Sequence, residues 1–379
     1  MIGQGRGWRI LLATLSIISV AALVVAVWRA YTPGEAVNLA DVAAVTLAAA
    51  TTIGAVGIWS RRPPTEAMPT EADIDTAARV LAGLVERQWR AEARHRLLDD
   101  PDPIPVQWQL IKNKSVMSHP YLIAPETFTF TGGTSDIAEL ARRFRALKRG
   151  RLVITGAAGM GKTTLAVQLL LQLLSTRRAD QADHAEASAP VPVLLPVSGW
   201  DITLYPRLHE WLAARLVQDY PALAAPQLVR GAAALVQDGH VLPILDGLDE
   251  IPGQSRPKII NALNDSLTHR DQLIITSRTT EFTSAITQNG RPLNAALVIE
   301  PKALTRDAAA HYLTTCLPGS LPPAWEKVLA ALRSGALRGL TQLAATPLGL
   351  WQIRTVYQAP GAGPTSLTGP LGAHPSPGR

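Results

Sequence analysis

The chain has 379 residues, room for two or three modules rather than one. Its 47% hydrophobic and 17% charged content allows a large core and leaves apolar sequence over for a membrane, while the net charge of +6 is scattered without an aromatic-interleaved basic stripe, so no nucleic-acid surface is indicated. The single cysteine, Cys316, excludes an intramolecular disulfide and a cysteine-rich metal site.

Residues Ile10–Trp28 and Val42–Trp59 are apolar runs joined by the turn Tyr31–Asp41. The first is long enough to span a bilayer as a helix. The second is weaker, rich in Ala, Thr and Gly, and also reads as a buried helix. A signal peptide fits the first run poorly, because no A-x-A site follows. Arg6 and Arg9 precede the pair and Arg61 and Arg62 follow it, which places both ends in the cytoplasm. The expectation is a transmembrane hairpin over residues 1–62. It implies a multi-pass cell-membrane protein with all later segments on the cytoplasmic side.

Residues 63–135 read as a juxtamembrane helix and linker. Thr70–Leu98 has helical periodicity, with Thr70 as cap and Asp73 three positions on. Ile74, Ala78, Leu81 and Val85 make it either a short coiled coil or a helix packed on the next domain. Pro101, Pro103 and Pro105 end it. Asp136–Arg149 predicts a second amphipathic helix, closed by Gly150.

Residues 136–300 then alternate. Strands are expected at Leu152–Thr155, Val193–Val197, Val241–Asp246, Leu273–Thr276 and Ala296–Ile299. Helices are expected at Lys162–Thr176, Leu208–Gln218, Pro226–Gln237 and Pro257–Leu267, with a flexible loop at Ala179–Pro190. Such alternation predicts an α/β fold, a mostly parallel sheet with helices on both faces. Residues 301–358 read as a small helical domain. Residues 359–379 collapse to Gly, Pro, Ser, Thr and Ala, a composition that cannot bury a core.

Three segments carry chemistry. Gly156-Ala157-Ala158-Gly159-Met160-Gly161-Lys162-Thr163-Thr164 follows an apolar strand and opens an apolar helix, the context of a P-loop. Its glycines let successive N–H groups turn inward, and the helix N-terminus adds partial positive charge. Lys162 would reach the β- and γ-phosphates, and the Thr163 hydroxyl would ligate Mg²⁺. The apolar strand Val241–Leu245 ends in Asp246, a second Mg²⁺ ligand in this reading. Asp249 and Glu250 follow; one of them would orient or deprotonate the attacking water. A third apolar strand ends in Thr276-Ser277-Arg278, and Arg278 is either a surface residue or a sensor of the γ-phosphate. No metal-binding histidine spacing occurs. ATP with Mg²⁺ is the expected ligand. GTP stays open, although no N-K-x-D motif follows the P-loop.

Together these segments resemble the NACHT family of signal-transduction NTPases, within the STAND class. Asp246-Gly247-Leu248-Asp249-Glu250 matches the family spacing, a small residue after the metal aspartate and acids a few positions later. Thr276-Ser277-Arg278 is similar to its sensor strand end, and Thr346-Pro347-Leu348 resembles the helical-domain proline, here Pro347, that packs on the adenine. The hairpin, with Gln88-Trp89-Arg90 and Pro103-Ile104-Pro105-Val106-Gln107-Trp108, looks like membrane-attached actinobacterial members. The resemblance implies a P-loop sheet followed by a helical domain, and activation through self-association. It also implies a winged helix, but the sequence stops soon after Tyr357, as a C-terminally truncated member would. The expected function is a membrane-anchored signalling switch that binds and slowly hydrolyses ATP. The alternatives are an AAA+-like motor ATPase or a nucleotide-binding membrane scaffold without turnover. No segment points to a stimulus or a downstream partner.

Overall fold

The computed structural model describes residues 69–98, 102–111, 113–119, 123, 131–182, 189–225, 228–289, 291–317 and 323–357. The chain divides after Met68 into two units, and everything described belongs to the second.

Among the described residues, seven strands form one sheet in the order β2-β1-β7-β3-β6-β5-β4. They are β1 Gln107–Leu110, β2 Thr131–Gly133, β3 Arg151–Thr155, β4 Val191–Pro196, β5 Val241–Asp246, β6 Leu273–Ser277 and β7 Leu297–Pro301. The five from β7 to β4 are parallel, and β1 and β2 extend the β7 edge antiparallel. Every residue of β3 and β6 is buried. This explains their unbroken apolar runs, since a parallel strand covered on both faces has no solvent side to mark. β3 lies between β6 and β7, so the chain order reverses across it. That reversal opens a crevice at the strand C-termini.

Helices flank the sheet. α1 (Glu71–His95) starts in a capping box: the Thr70 hydroxyl accepts from Asp73 N–H, and the Asp73 carboxylate accepts from Thr70 N–H. Its Ala77, Ala78, Leu81 and Val85 join the main core, which favours the packed helix over a coiled coil. α2 (Ile137–Arg145) buries Leu140 and Phe144. α3 (Lys162–Ala182) leaves the end of the P-loop and runs six residues past the expected Thr176, into the segment read as a flexible loop. α4 (Leu208–Asp219), α5 (Val229–Gln237), α6 (Arg256–Ser266) and α7 (Thr279–Asn289) complete this body.

Four further helices hold a core of their own around Leu313, Trp325, Leu329, Leu332 and Leu350. They are α8 (Arg306–Cys316), α9 (Pro323–Ser334), α10 (Arg338–Ala344) and α11 (Pro347–Tyr357). Cys316 packs against that core, half-buried.

A polar knot closes the lower rim of the sheet. The Arg151 guanidinium donates to the carbonyls of Asp271 (3.2 Å), Asn294 (2.9 Å) and Thr268. The Asp271 carboxylate accepts from Thr268 N–H (2.6 Å) and hydroxyl (2.7 Å) and lies 3.2 Å from His209 Nε2.

The membrane expectation is corrected. Among the described residues no helix is long and apolar enough to cross a membrane. The longest, α1 with 25 residues, is amphipathic, with Arg and Glu along its length. α3 is mostly apolar only from Leu165 to Leu174, with Gln168 and Gln172 interrupting, before Arg177, Arg178 and Asp180, well short of the roughly 20 residues a span needs. The transmembrane hairpin of residues 1–62 lies outside the described residues, as does the tail 359–379. The membrane-attached type, the membrane partner and the cell-membrane location that followed from the hairpin have no support in the described structure.

Candidate functional site

The crevice beside β3 collects most of the charged groups picked from sequence. The loop Gly156–Gly161 leaves the end of β3 with Gly156, Gly159 and Gly161 at positive φ. Ala157 and Ala158 are exposed, and Met160 is buried. At the first residue of α3, Lys162 turns back on the loop, its Nζ donating to the Gly156 and Ala157 carbonyls at 3.0 Å each. Burial pushes the Lys162 pKa down; Asp249 and Asp246 oppose that shift and Arg278 adds to it.

The second residue of α3 reaches the neighbouring strands. The Thr163 hydroxyl lies 3.1 Å from Asp246 Oδ1 and 3.0 Å from Oδ2. Asp246 ends β5, and Thr276, near the end of β6, donates its hydroxyl to Asp246 Oδ1. The same Thr276 oxygen accepts from Gly247 N–H at 2.9 Å. Gly247 is left-handed (φ 82°, ψ 43°), and a short 3-10 turn, Leu248–Glu250, follows it. This reversal carries Asp249 back toward β6, where its two carboxylate oxygens meet Arg278: Oδ1 accepts from the backbone N–H at 3.1 Å and Oδ2 pairs with Nε at 3.0 Å. Arg256 of α6 steadies the turn by donating to the Asp249 carbonyl at 2.9 Å. Glu250 is exposed and, among the described residues, its carboxylate has no partner.

A cavity of about 660 Å³ adjoins the loop. Gly159–Thr164 form one wall. Pro347, Leu348 and Trp351 of α11 with Tyr312 of α8 form another, and Ile104, Val106 and Thr134 line it beside the end of α1. That size suits a nucleotide-sized ligand. α11 is tied to the loop: Leu348 N–H donates to the Gly159 carbonyl at 3.1 Å, and a β-carbon on Gly159 would sit 3.1 Å from Leu348 Cβ. A substituent on Gly159 would therefore be strained by the positive φ and would press on Leu348.

The structure groups Lys162, Thr163, Asp246, Asp249 and Arg278, and it sets Pro347 on the cavity wall. It leaves Glu250 to one side. Sequence reasoning named Thr276 within the strand-end motif but gave it no role of its own, and it missed Glu281, which lies within electrostatic reach of Lys162 from the first turn of α7. It missed the cavity walls at Ile104, Val106, Thr134, Tyr312 and Trp351 as well. A polar residue one step before the end of an apolar strand was a usable signal for Thr276; the others had none.

A parallel sheet whose central strand enters a glycine-rich loop and helix, with an aspartate from a nearby strand bonded to that helix's second residue, defines a P-loop NTPase fold. The family model of the NACHT domain matches residues 150–350. That is more than half of the chain, which belongs to the NACHT family. Similar solved structures include Cdc6p from Pyrobaculum aerophilum, with 14% identity and a TM-score of 0.32, covering 69% of this chain and 67% of that one. PCH-2 from C. elegans has 16% identity and a TM-score of 0.32, covering 67% of this chain and 68% of that one. No curated protein matches the chain.

Proposed function

We propose that the chain binds ATP in the crevice between the Gly156–Thr164 loop and α11, and hydrolyses it. One observation carries this reading: the Thr163 hydroxyl faces both oxygens of Asp246 at 3.0 and 3.1 Å. Two neighbouring ligands of octahedral Mg²⁺, each about 2.1 Å from the metal, stand about 3.0 Å apart. Two hard oxygens at this separation fit Mg²⁺. When bound, Mg²⁺ would neutralise charge on the β- and γ-phosphate oxygens.

The rest of the chemistry belongs to the chain's own groups. The loop amides and the start of α3 supply N–H donors for the phosphates. Lys162 leaves the Gly156 and Ala157 carbonyls for phosphate oxygens, setting its half-buried ammonium against their negative charge. Arg278, steered by Asp249, faces the γ-phosphate. Asp249 is held against Arg278 through both oxygens, so of the two acids after β5 the orienting of the attacking water is assigned to Glu250, whose exposed carboxylate is free to turn toward the crevice. The base lies toward Ile104, Val106 and Pro347. The absence of an N-K-x-D segment after the P-loop favours adenine over guanine.

An equilibrium titration with ATP tests the binding. Lys162→Ala should abolish it, and retention of wild-type affinity would refute the reading. Comparing single-turnover with steady-state hydrolysis then sorts three kinds of nucleotide protein. Fast continuous turnover marks a motor-like ATPase, a slow cycle marks a switch, and binding without turnover marks a scaffold.

A further inference from the structure

We propose that Thr276 is a positioning residue for the Asp246 carboxylate, holding it in the orientation that a divalent cation requires. The proposal rests on the reading of Asp246 as a cation ligand. Thr276 is 1% exposed. A hydroxyl has one hydrogen to give and two lone pairs to receive. Gly247 N–H donates to Thr276 Oγ1 at 2.9 Å, which takes one lone pair. The hydrogen is directed at Asp246 Oδ1.

Asp246 thus stands between two hydroxyls from two elements. Thr163, on α3, also contacts the carboxylate in this structure, but it must turn a lone pair toward a cation to ligate one. Thr276, on β6, has no such second duty, so its bond to Oδ1 persists when the cation is bound. It fixes the torsion of the Asp246 side chain and aims the free lone pairs at the Thr163 side. Through Gly247 N–H the same hydroxyl also anchors the left-handed turn that sets Asp249 and Glu250. The metal carboxylate and the acidic turn therefore share one pivot, a side chain from the adjacent strand.

Valine keeps the shape and branching of threonine and removes only the hydroxyl. Thr276→Val leaves a buried N–H and a carboxylate oxygen without that partner. Serine restores both bonds. The measurement is a MgCl₂ titration of binding by a fluorescent ATP analogue, with a parallel titration in EDTA. Losing an outer partner of a metal ligand costs 10–100-fold in metal affinity, so Thr276→Val should raise the Mg²⁺ midpoint by roughly ten-fold or more. Its EDTA affinity for the analogue should stay near wild type. Thr276→Ser should return the midpoint close to wild type. If Thr276→Val does not fold, Thr276→Ala carries the same comparison.

An unshifted midpoint in the valine variant overturns the proposal. So does a serine variant as impaired as valine, because that assigns the effect to the lost methyl group. Asp246→Ala identifies which layer has failed. If it leaves the Mg²⁺ midpoint unchanged, Asp246 is not the cation ligand and both readings fall. If it abolishes the Mg²⁺ response while Thr276→Val does not shift it, only the positioning role falls.

Discussion

Gly247→Ala isolates the part of the site that is set by backbone shape alone. Gly247 has φ 82° and ψ 43°, a left-handed conformation that costs an alanine about 1–2 kcal/mol. The added β-carbon would lie 2.8 Å from Glu250 Cδ, 3.0 Å from Oε2 and 3.2 Å from Cγ. Ordinary carbon contacts lie near 3.5–4.0 Å, so the side chain must move. Glu250 is exposed and can rotate away, so little beyond the backbone cost should reach the stability, which denaturant unfolding measures. Turnover should suffer more. A positioned acid or base contributes roughly 10²–10⁴-fold, and Glu250→Ala should lose within that range. Gly247→Ala should lose a large part of it by displacing the same carboxylate. The double variant should then be no slower than Glu250→Ala alone, because the second change has nothing left to displace. Steady-state ATP hydrolysis of the four proteins decides the matter. If the two losses multiply, the glycine does not act through Glu250; if Glu250→Ala turns over normally, Glu250 is not the water-orienting acid.

Asp249→Ala should keep ATP affinity within a few-fold and slow turnover. Combined with Arg278→Ala it should cost no more than Arg278→Ala alone, as measured by a double-variant cycle in kcat. Its effect on stability should stay under about 1 kcal/mol, since Arg278 is 50% exposed and such pairs are screened. Although burial pushes the Asp271 carboxyl up, hydrogen bonds from His209 and Thr268 prevail and hold it down at about 2. A depressed carboxylate contributes stability above its unfolded value near pH 4 and loses it as pH falls toward 2. Unfolding midpoints measured across that window should fall for the wild type and flatten for Asp271→Asn. Trp351 lines the cavity, so ATP should change the intrinsic fluorescence, and Trp351→Phe should remove that component.

The parallel strands were legible because burial on both faces leaves unbroken apolar runs; Val241–Asp246 has the same limits in sequence and structure. β4 begins two residues before its expected start, at Val191, because proline at 192 broke the pattern without breaking the strand. β1 and β2 were not legible at all. Gln107–Leu110 follows Pro103 and Pro105, reads as linker, and pairs with β7 nearly two hundred positions away. No local periodicity encodes such a partner. α7 went unnoticed because Thr279–Asn289 is mostly polar, and Glu281 went with it. The cluster of Lys162, Thr163, Asp246 and Arg278 was readable because it rests on one contiguous motif and two strand ends. The cavity walls were not, since Ile104, Thr134 and Tyr312 come together only through tertiary packing. Arg278 was read as a surface residue or a phosphate sensor, and its pairing with Asp249 was not foreseen in either reading.

The family match opens at residue 150, yet the buried interior takes in Leu81, Trp108 and Phe144 from well upstream. A protein trimmed to the matched span would strip β1 and β2 from the flank of β7, leaving bare main-chain donors and acceptors there. It would also lose the Ile104–Val106 side of the cavity beside the loop. The smallest portion worth purifying for biochemistry therefore begins near Pro69, and failure of a shorter piece to bind ATP would say nothing about the intact molecule.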